Sequence, residues 1–215
     1  EAAPTPVLSF NVLEHQAAGA AILTASHNPA IWNGFKFKPE YAGSATQEIT
    51  DQLEAAIAST GEVQIVSLEQ AGGQGLVVDI DPAPPYLERI GELVDLPAIR
   101  NAGLRVLVDA MFGAGGGYLP ALLSGGTTTV EEMNGHPNPA FPGMEQPEPI
   151  AHNLTLLIEK IKAGGGSVGL ALDGDADRIG VVDERGRFVT TLEVFSLLAL
   201  YLLEHKAQRG PLVKG

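Results

Sequence analysis

Residues 167–178 read SVGLALDGDADR, and this stretch decides the fold class. An apolar run over residues 167–172 follows three glycines, and three aspartates come after it at alternate positions, namely Asp173, Asp175 and Asp177. A short apolar run between glycines and a polar turn is typical of a buried strand. In parallel sheets, side chains that do chemistry often lie just beyond the carboxyl end of a strand. The stretch therefore predicts a buried strand followed by a functional loop.

The segments before this strand alternate between strand-like and helix-like patterns. Residues 104–109 (LRVLVD) predict a second buried strand, the glycine-rich residues 112–117 predict a turn into a helix, and residues 148–163 predict an amphipathic helix. This alternation is typical of a sheet with helices on both faces. We therefore predict an α/β fold made of three-layer αβα domains with mixed or parallel sheets.

More distant segments extend the pattern in both directions. Residues 19–24 predict a strand that leads into a loop, and capping-box spacing from Ser44 to Gln47 predicts a helix running to about Ala58. Helical spacing follows over residues 86–94. Residues 179–190 predict two short strands around a turn, and residues 192–204 an apolar helix.

Glycine and proline concentrate in residues 68–85, which predicts a domain boundary. We place a first, partial domain at residues 1–71 and a second domain at 72–187. The apolar helix near the end of the chain has few segments after it to bury it, so we assign residues 188–215 to the beginning of a third domain. We expect the sequence to be truncated.

Composition excludes several classes of function. The chain of 215 residues has 26 Asp and Glu against 13 Lys and Arg, a formal charge of -13, so a nucleic acid would be repelled. No apolar run is long enough for a membrane span, and the N-terminus lacks a signal-peptide pattern. Cysteine is absent, which removes thiol chemistry and disulfides and fits a cytoplasmic location. We expect neither a nucleic-acid nor a membrane partner.

The first candidate site is residues 24–29, TASHNP, with a lysine, Lys36, close behind. Ser26 could act as a nucleophile or carry a phosphoryl group, because a lysine would stabilise negative charge and His27 could move a proton. An ordinary Ser/Asn/Pro turn accounts for the same residues, and the chain has no G-x-S-x-G elbow there. The local pattern leaves both interpretations open.

The second candidate site is the aspartate triplet of the opening stretch. Carboxylates that converge in a loop repel one another unless a cation lies among them, and Mg²⁺ is suited to such a site when a phosphate completes its ligands. An EF-hand loop starting at Asp173 would place Glu184 at position twelve, but Arg178 stands where the sharp turn requires glycine. A phosphatase with a D-x-D pair, Asp173 and Asp175, and an acidic surface turn are further alternatives.

A third, weaker candidate is the glycine-rich stretch over residues 109–117, DAMFGAGGG. Backbone N–H groups of such a turn can hold an anion at the start of a helix. The stretch lacks the GK[ST] of a P-loop, so a plain tight turn is the simpler interpretation.

Taken together, TASHNP, the following NGFK and the distant LDGDADRIG resemble the α-D-phosphohexomutases, the phosphoglucomutase/phosphomannomutase family. The resemblance extends to SATQEITDQLEAAI, DAMFGAGGGYLP and NPAFPGMEQPEP, and so to most of the chain. It implies that Ser26 is a phosphoserine and that its phosphate binds Mg²⁺ together with Asp173, Asp175 and Asp177.

The resemblance also implies a substrate and further roles. Lys36 and His27 would move protons, and Arg178 would contact the phosphoserine. The substrate would be a small phosphosugar, a hexose 1- or 6-phosphate, with a hexose 1,6-bisphosphate as intermediate and activator. By comparison with four-domain family enzymes we expect the 215 residues alone to turn over little substrate. A non-catalytic divalent-cation-binding module remains the alternative, and the sequence indicates neither the sugar nor the oligomeric state.

Overall fold

A computed structural model describes residues 2–213 of the chain. It divides into two compact units. The first comprises residues 3–24 and 33–94, and the second comprises residues 25–32 and 95–213. The segment 25–32, which contains the TASHNP serine, therefore belongs to the second unit.

The first unit combines helices with a two-stranded sheet. Its elements in chain order are α1 (Thr5–Glu14), β1 (Gly19–Leu23), β2 (Phe35–Pro39), α2 (Gln47–Ser59), α3 (Leu68–Gly73) and α4 (Ala83–Leu93). The strands pair antiparallel, with Gly19 opposite Pro39 and Leu23 opposite Phe35. Helices α1 and α4 pack together, where the Asn11 side chain donates a 2.9 Å hydrogen bond to the Pro82 carbonyl oxygen.

Two helix starts in this unit differ from the sequence prediction. The side chain of Thr46, and not of Ser44, accepts a hydrogen bond from the Ile49 N–H and caps α2. Helix α4 begins at Ala83 instead of residue 86, with prolines in its first turn. Proline is tolerated there because the first N–H groups of a helix have no partner within it.

The second unit is built on a five-stranded sheet. Its elements are α5 (Leu96–Arg100), β3 (Arg105–Asp109), α6 (Tyr118–Leu123), β4 (Thr129–Met133), α7 (Thr155–Lys160), β5 (Val168–Leu172), β6 (Ile179–Val182), β7 (Phe188–Val189) and α8 (Thr191–Leu200). The strand order is β4-β3-β5-β6-β7. Strand β3 pairs parallel with β4 and β5, whereas β5–β6 and β6–β7 are antiparallel. The predicted α/β class is confirmed, with a mixed sheet.

Strand β3 lies at the centre of this packing because its side chains alternate between two apolar faces. Val106 and Val108 pack with Leu123 of α6 on one face. Leu107 packs with Leu157 of α7 on the other. All five side chains are buried. Helical segments therefore cover both faces of the sheet, which holds its strand ends in fixed positions.

The predicted helix over residues 148–163 is shorter and irregular in the structure. Residues Ala151–Asn153 form a 3₁₀ turn, α7 follows, and a wider turn spans Ile161–Gly165, where Gly164 has a φ of 83°. The helix starts late because the side chain of Asn153 donates a 2.8 Å hydrogen bond to the Glu148 carbonyl oxygen and stabilises a non-helical segment before it.

The predicted apolar helix near the end of the chain is present as α8, which continues into a wider turn over Tyr201–His205. Its first turn has a capping box, in which Thr190 and Glu193 bond each other's backbone N–H groups. Within residues 2–213, no helix has the length and apolar character needed to cross a membrane.

Candidate active site

The three aspartates lie in a tight loop directly after β5, which we call the metal loop (residues 173–178). Each aspartate offers one carboxylate oxygen, and these atoms lie within 4.8 Å of one another. Asp173 and Asp175 are buried, at 0% and 4% exposure, and Asp177 is exposed. The loop therefore brings together the carboxylates that the sequence singled out.

Asp173 also organises the loop around itself. Its Oδ1 atom accepts hydrogen bonds from the N–H groups of Asp177 and Arg178, each at 3.0 Å. Its carbonyl oxygen accepts a further bond from the N–H of Ala176, a residue with a φ of 54°. A non-glycine residue in this left-handed region is strained, and such residues are often found at functional sites.

Ser26 is the second component of the site. Its hydroxyl donates a 3.0 Å hydrogen bond to Oδ2 of Asp173, although the two residues are 147 positions apart in the chain. Nδ1 of His27 lies 3.5 Å from the Ser26 Oγ atom. Ser26 itself has a φ of 52°, so the serine is held in a strained backbone conformation like that of Ala176.

The loops approach each other so closely that only glycine fits between them. A Cβ atom added at Gly174 would overlap the carbonyl oxygen of Ser26 and lie 3.1 Å from a ring carbon of Pro147. The close approach explains why a glycine separates the first two aspartates. The sequence alone contained no indication of this contact.

Burial dominates the electrostatics of the site. It raises the pKa of Asp173 to about 6, and the negative charges of Asp175 and Asp177 act in the same direction. Hydrogen bonds from the Arg178 N–H and the Ser26 hydroxyl act in the opposite direction. Three hard oxygen donors that repel one another suit Mg²⁺, so the residues present fit the divalent cation that the sequence predicted.

Arg178 has its backbone bound to Asp173, while its side chain extends toward a residue that the sequence analysis missed. Its Nη1 atom lies 3.6 Å from Oε1 of Glu148, and the Arg178 side chain is 48% exposed. The other carboxylate oxygen of Glu148 accepts a 2.6 Å hydrogen bond from Gln146. The sequence PEP at residues 147–149 gave no indication that Glu148 pairs with Arg178, because this pairing depends on the tertiary fold. The predicted contact between Arg178 and a phosphoserine stays a prediction.

Lys36 lies in β2 of the first unit. Ser26, His27 and the metal loop all belong to the second unit. The structure therefore brings the serine, the histidine and the aspartates together within one unit, and the proton-transfer role of Lys36 stays a prediction.

The two rival interpretations of the third candidate site, the turn after β3, can be compared directly. The N–H groups of Phe112, Gly113, Ala114 and Gly117 all donate to acceptors of the protein itself. The acceptor for Ala114 is the carbonyl oxygen of Gly174 in the metal loop, at 2.9 Å. These four N–H groups are therefore engaged, which favours the tight turn over an anion cradle built on them.

The EF-hand alternative requires a helix after the loop, whereas the metal loop leads into β6. Glu184, its required twelfth ligand, has an exposed side chain and pairs with Arg185 at 3.4 Å. The described residues therefore do not have EF-hand geometry.

Comparison with known families gives two matches. Residues 1–64 match the family model for phosphoglucomutase/phosphomannomutase, alpha/beta/alpha domain I, and residues 84–186 match that for domain II. Together these matches cover most of the chain.

Individual proteins give a consistent result. The chain is 36% identical over 198 residues to a phosphoglucomutase/phosphomannomutase of Thermococcus kodakarensis, covering 92% of this chain and 42% of that protein. It is 34% identical to a probable phosphoglucosamine mutase of Thermococcus gammatolerans, covering 98% and 44%. The chain thus spans less than half the length of these curated relatives.

Solved structures show the same likeness. The crystal structure of a putative phosphomannomutase from Thermus thermophilus superposes with a TM-score of 0.79 at 35% identity, covering 97% of this chain and 46% of that one. A phosphoglucomutase/phosphomannomutase family protein from Burkholderia thailandensis gives a TM-score of 0.70 at 27% identity, covering 95% and 43%.

Proposed function

Because the chain belongs to the phosphoglucomutase/phosphomannomutase family, we propose that it carries the phosphoryl-transfer centre of a phosphohexomutase. The enzyme would interconvert a hexose 1-phosphate and a hexose 6-phosphate through a phosphoserine and a hexose 1,6-bisphosphate. Its named relatives include both phosphoglucomutase/phosphomannomutase and phosphoglucosamine mutase, so the sugar is left open within the phosphohexose class.

One observation carries this proposal, namely the 3.0 Å hydrogen bond from the Ser26 hydroxyl to Asp173. It joins the two motifs of the resemblance at a single point, a hydroxyl beside a cluster of carboxylates. Phosphoryl transfer needs alignment of the reacting oxygens and stabilisation of charge on the phosphoryl group. A serine next to a carboxylate cluster that would hold a divalent cation would meet both requirements.

In the proposed reaction Ser26 is the phosphoryl carrier. A hydroxyl of the hexose monophosphate attacks the phosphorus of phospho-Ser26, the P–Oγ bond breaks, and a hexose 1,6-bisphosphate forms. The bisphosphate then reorients in the site. Ser26 Oγ attacks the other phosphoryl group of the bisphosphate, and the second hexose monophosphate leaves. Each half-reaction breaks one P–O bond and forms one, so phosphate and charge balance over the cycle.

The side chains around Ser26 provide the remaining functions. Asp173, Asp175 and Asp177, with an oxygen of the Ser26 phosphate, would hold Mg²⁺. When bound, the cation would supply charge stabilisation for the phosphoryl oxygens. We assign exchange of the hydroxyl proton to His27, whose Nδ1 atom lies 3.5 Å from the Ser26 Oγ atom.

Two other residues are assigned by the family pattern. We assign Lys36 to proton transfer at the sugar hydroxyl and Arg178 to the phosphoserine oxygens. The half-exposed guanidinium of Arg178 lies 3.6 Å from the Glu148 carboxylate. Because this ion pair is long, the guanidinium can turn toward an anion.

A D-x-D phosphatase is less well supported by the same geometry. Its nucleophile would be Asp173, but that side chain has no exposed surface. Both its oxygens already accept hydrogen bonds, Oδ1 from two backbone N–H groups and Oδ2 from Ser26. A carboxylate so enclosed is poorly placed to attack a phosphate.

The test is intact-mass measurement with phosphopeptide mapping of the 215-residue chain, before and after incubation with glucose 1,6-bisphosphate and Mg²⁺. Phosphate on the protein is measured instead of turnover, because the curated relatives extend over more than twice the matched length. We expect one phosphate on Ser26 and none in the Ser26→Ala variant. Ser196→Ala is the control, because the Ser196 hydroxyl bonds the Leu192 carbonyl oxygen within α8, and it should accept phosphate like the wild type.

Other results would favour the alternatives. Phosphate on Asp173 would support the phosphatase. A chain that binds a divalent cation but takes up no phosphate would support the non-catalytic cation-binding module. The mutase proposal would then fail.

A further inference from the structure

The turn between β3 and α6 packs directly on the metal loop. Besides the hydrogen bond from Ala114 to Gly174, a Cβ atom added at Gly113 would lie 2.6 Å from the Gly174 carbonyl oxygen and 2.9 Å from that of Asp173. Real Cβ atoms essentially never come so close to a backbone oxygen, so a side chain at position 113 must displace one of the two segments. The glycine therefore allows backbone-to-backbone contact with the residues that carry the carboxylates.

The turn is held from behind by a buried polar network. Oδ1 of Asp109, a residue with 3% exposure, accepts 2.9 Å hydrogen bonds from the Met111 N–H and from Nδ2 of Asn134. The N–H of Phe112 donates to the carbonyl oxygen of Asn134. These bonds fix the turn against the ends of β3 and its neighbour β4.

The turn also contains strained residues. Met111 and Phe112 have φ values of 47° and 58°, and the Met111 side chain is completely buried. Such conformations persist only where the surroundings over-determine them. A turn held this firmly cannot easily yield, so an intrusion at position 113 would displace the metal loop instead.

We propose that Gly113 is a positioning residue of the metal loop. Its lack of a side chain lets the rigid turn after β3 set the backbone of Asp173 and Gly174, and thereby the directions of the three carboxylates. The inference rests on the proposed function in one respect, namely that the carboxylates hold a divalent cation.

The expected effect is on metal affinity. Mg²⁺ demands near-ideal octahedral geometry, and residues that orient metal ligands typically change affinity by about 10–100-fold when mutated. Mn²⁺ takes the same oxygen ligands in an octahedral arrangement and can be counted directly. We therefore expect Gly113→Ala to weaken divalent-cation binding by about tenfold or more.

The chain offers a matched control at the opposite end of the parallel strands. A Cβ atom at Gly126, in the turn before β4, would overlap the carbonyl oxygen of Arg100. Since β3, β4 and β5 run parallel, the start of β4 lies at the N-terminal ends of these strands, and the metal loop lies at their C-terminal ends. Gly126→Ala therefore has a comparable backbone clash without contact with the carboxylates.

The experiment titrates the 215-residue wild type, Gly113→Ala and Gly126→Ala with MnCl₂. Free Mn²⁺ is counted by electron paramagnetic resonance, below the thermal midpoints, and folding is checked by circular dichroism. We expect both variants to have lower Tm values, but only Gly113→Ala to lose Mn²⁺ affinity. Equal Mn²⁺ affinity in folded Gly113→Ala and wild type, or an equal loss in Gly126→Ala, would overturn the proposal.

If Gly113→Ala does not fold, Gly115→Ala tests the approach of the same turn to the metal loop through side-chain contacts. Its Cβ would meet the end of the Leu172 side chain at 2.6 Å and the Ala176 methyl at 2.9 Å. A loss of Mn²⁺ affinity of at least about threefold supports the proposal, and wild-type affinity contradicts it. Failure of the proposed function looks different, because the wild type itself would then take no phosphate on Ser26.

Discussion

In the described part of the second unit, two groups of carboxylates have opposite surroundings. At the hairpin cluster (Asp183, Arg187 and Glu193), the Arg187 guanidinium donates to Asp183 at 2.9 Å and to Glu193 at 2.7 Å. The backbone N–H of Thr190 and then Arg187 lower the pKa of Glu193 to about 2. At the metal loop, burial raises the pKa of Asp173 to about 6.

The difference lies in what surrounds the charge. The carboxylates of the hairpin cluster are near solvent and are paired with the Arg187 guanidinium, so a bound metal ion would stabilise them little. The metal loop holds its carboxylates together at a cost in free energy that an added divalent cation would offset. Matched variants at the two places can therefore show whether this contrast distinguishes a ligand site from a surface ion pair.

The largest effect on Mn²⁺ affinity is expected from neutralising one carboxylate at each place. Asp175→Asn should lower Mn²⁺ affinity by about tenfold or more, about 1.4 kcal/mol, because it removes a negative ligand. Glu193→Gln should leave Mn²⁺ affinity unchanged. Titration calorimetry with MnCl₂ measures both, and equal losses in the two variants would remove the distinction between the sites.

The same pair of variants should differ in thermal stability without metal. Asp175→Asn removes a charge that raises the pKa of Asp173, so the metal-free Tm should not fall. Glu193→Gln loses an ion pair with Arg187, so its Tm should fall slightly. A clear loss of metal-free stability in Asp175→Asn would show that the triplet is not a site of stored repulsion.

The pH dependence should have opposite signs at the two places. The folded pKa of Asp173, about 6, is above its ordinary value of 3.8, so its contribution to stability is present below about pH 4 and lost as pH rises through 6. The loss is at most about 3 kcal/mol. For Glu193 the pKa is lowered, so its contribution is present above its ordinary value of 4.5 and lost as pH falls toward 2.

Metal-free unfolding midpoints measured between about pH 3 and 8 provide the test. Asp173→Asn should flatten the decline between about pH 4 and 6, and Glu193→Gln should flatten the change at lower pH. Because only the ionised carboxylate binds a cation, Mn²⁺ affinity of the wild type should rise as pH passes through about 6. Affinity that falls over this interval would contradict the assignment of Asp173 as a ligand.

What the sequence could predict was local. The apolar runs predicted the strands β3 and β5, and the alternate aspartates predicted the metal loop, because both patterns are read from neighbouring residues. The motif order indicated the family, which the family matches confirm.

What it could not predict depends on contacts between distant segments. The hydrogen bond between Ser26 and Asp173 joins positions 147 residues apart, and the close approach at Gly113 appears only once β3 and β5 are paired. A local prediction also failed in detail. The cap of α2 is Thr46 instead of Ser44, because both residues have acceptable capping chemistry and only the folded backbone selects one.

Removing the helix cap at the hairpin cluster separates stability from ligand binding there. Thr190→Ala removes the side chain that accepts from the Glu193 N–H and should cost about 1 kcal/mol, which lowers the Tm by a few degrees. Thr191→Ala, at the exposed first residue of α8, is the control and should change the Tm less. Neither variant should alter Mn²⁺ affinity, because the carboxylate of the capping box, on Glu193, is already paired with the Arg187 guanidinium. A change in Mn²⁺ affinity on removing this cap would mean that the two carboxylate clusters are coupled, and the contrast between them would no longer hold.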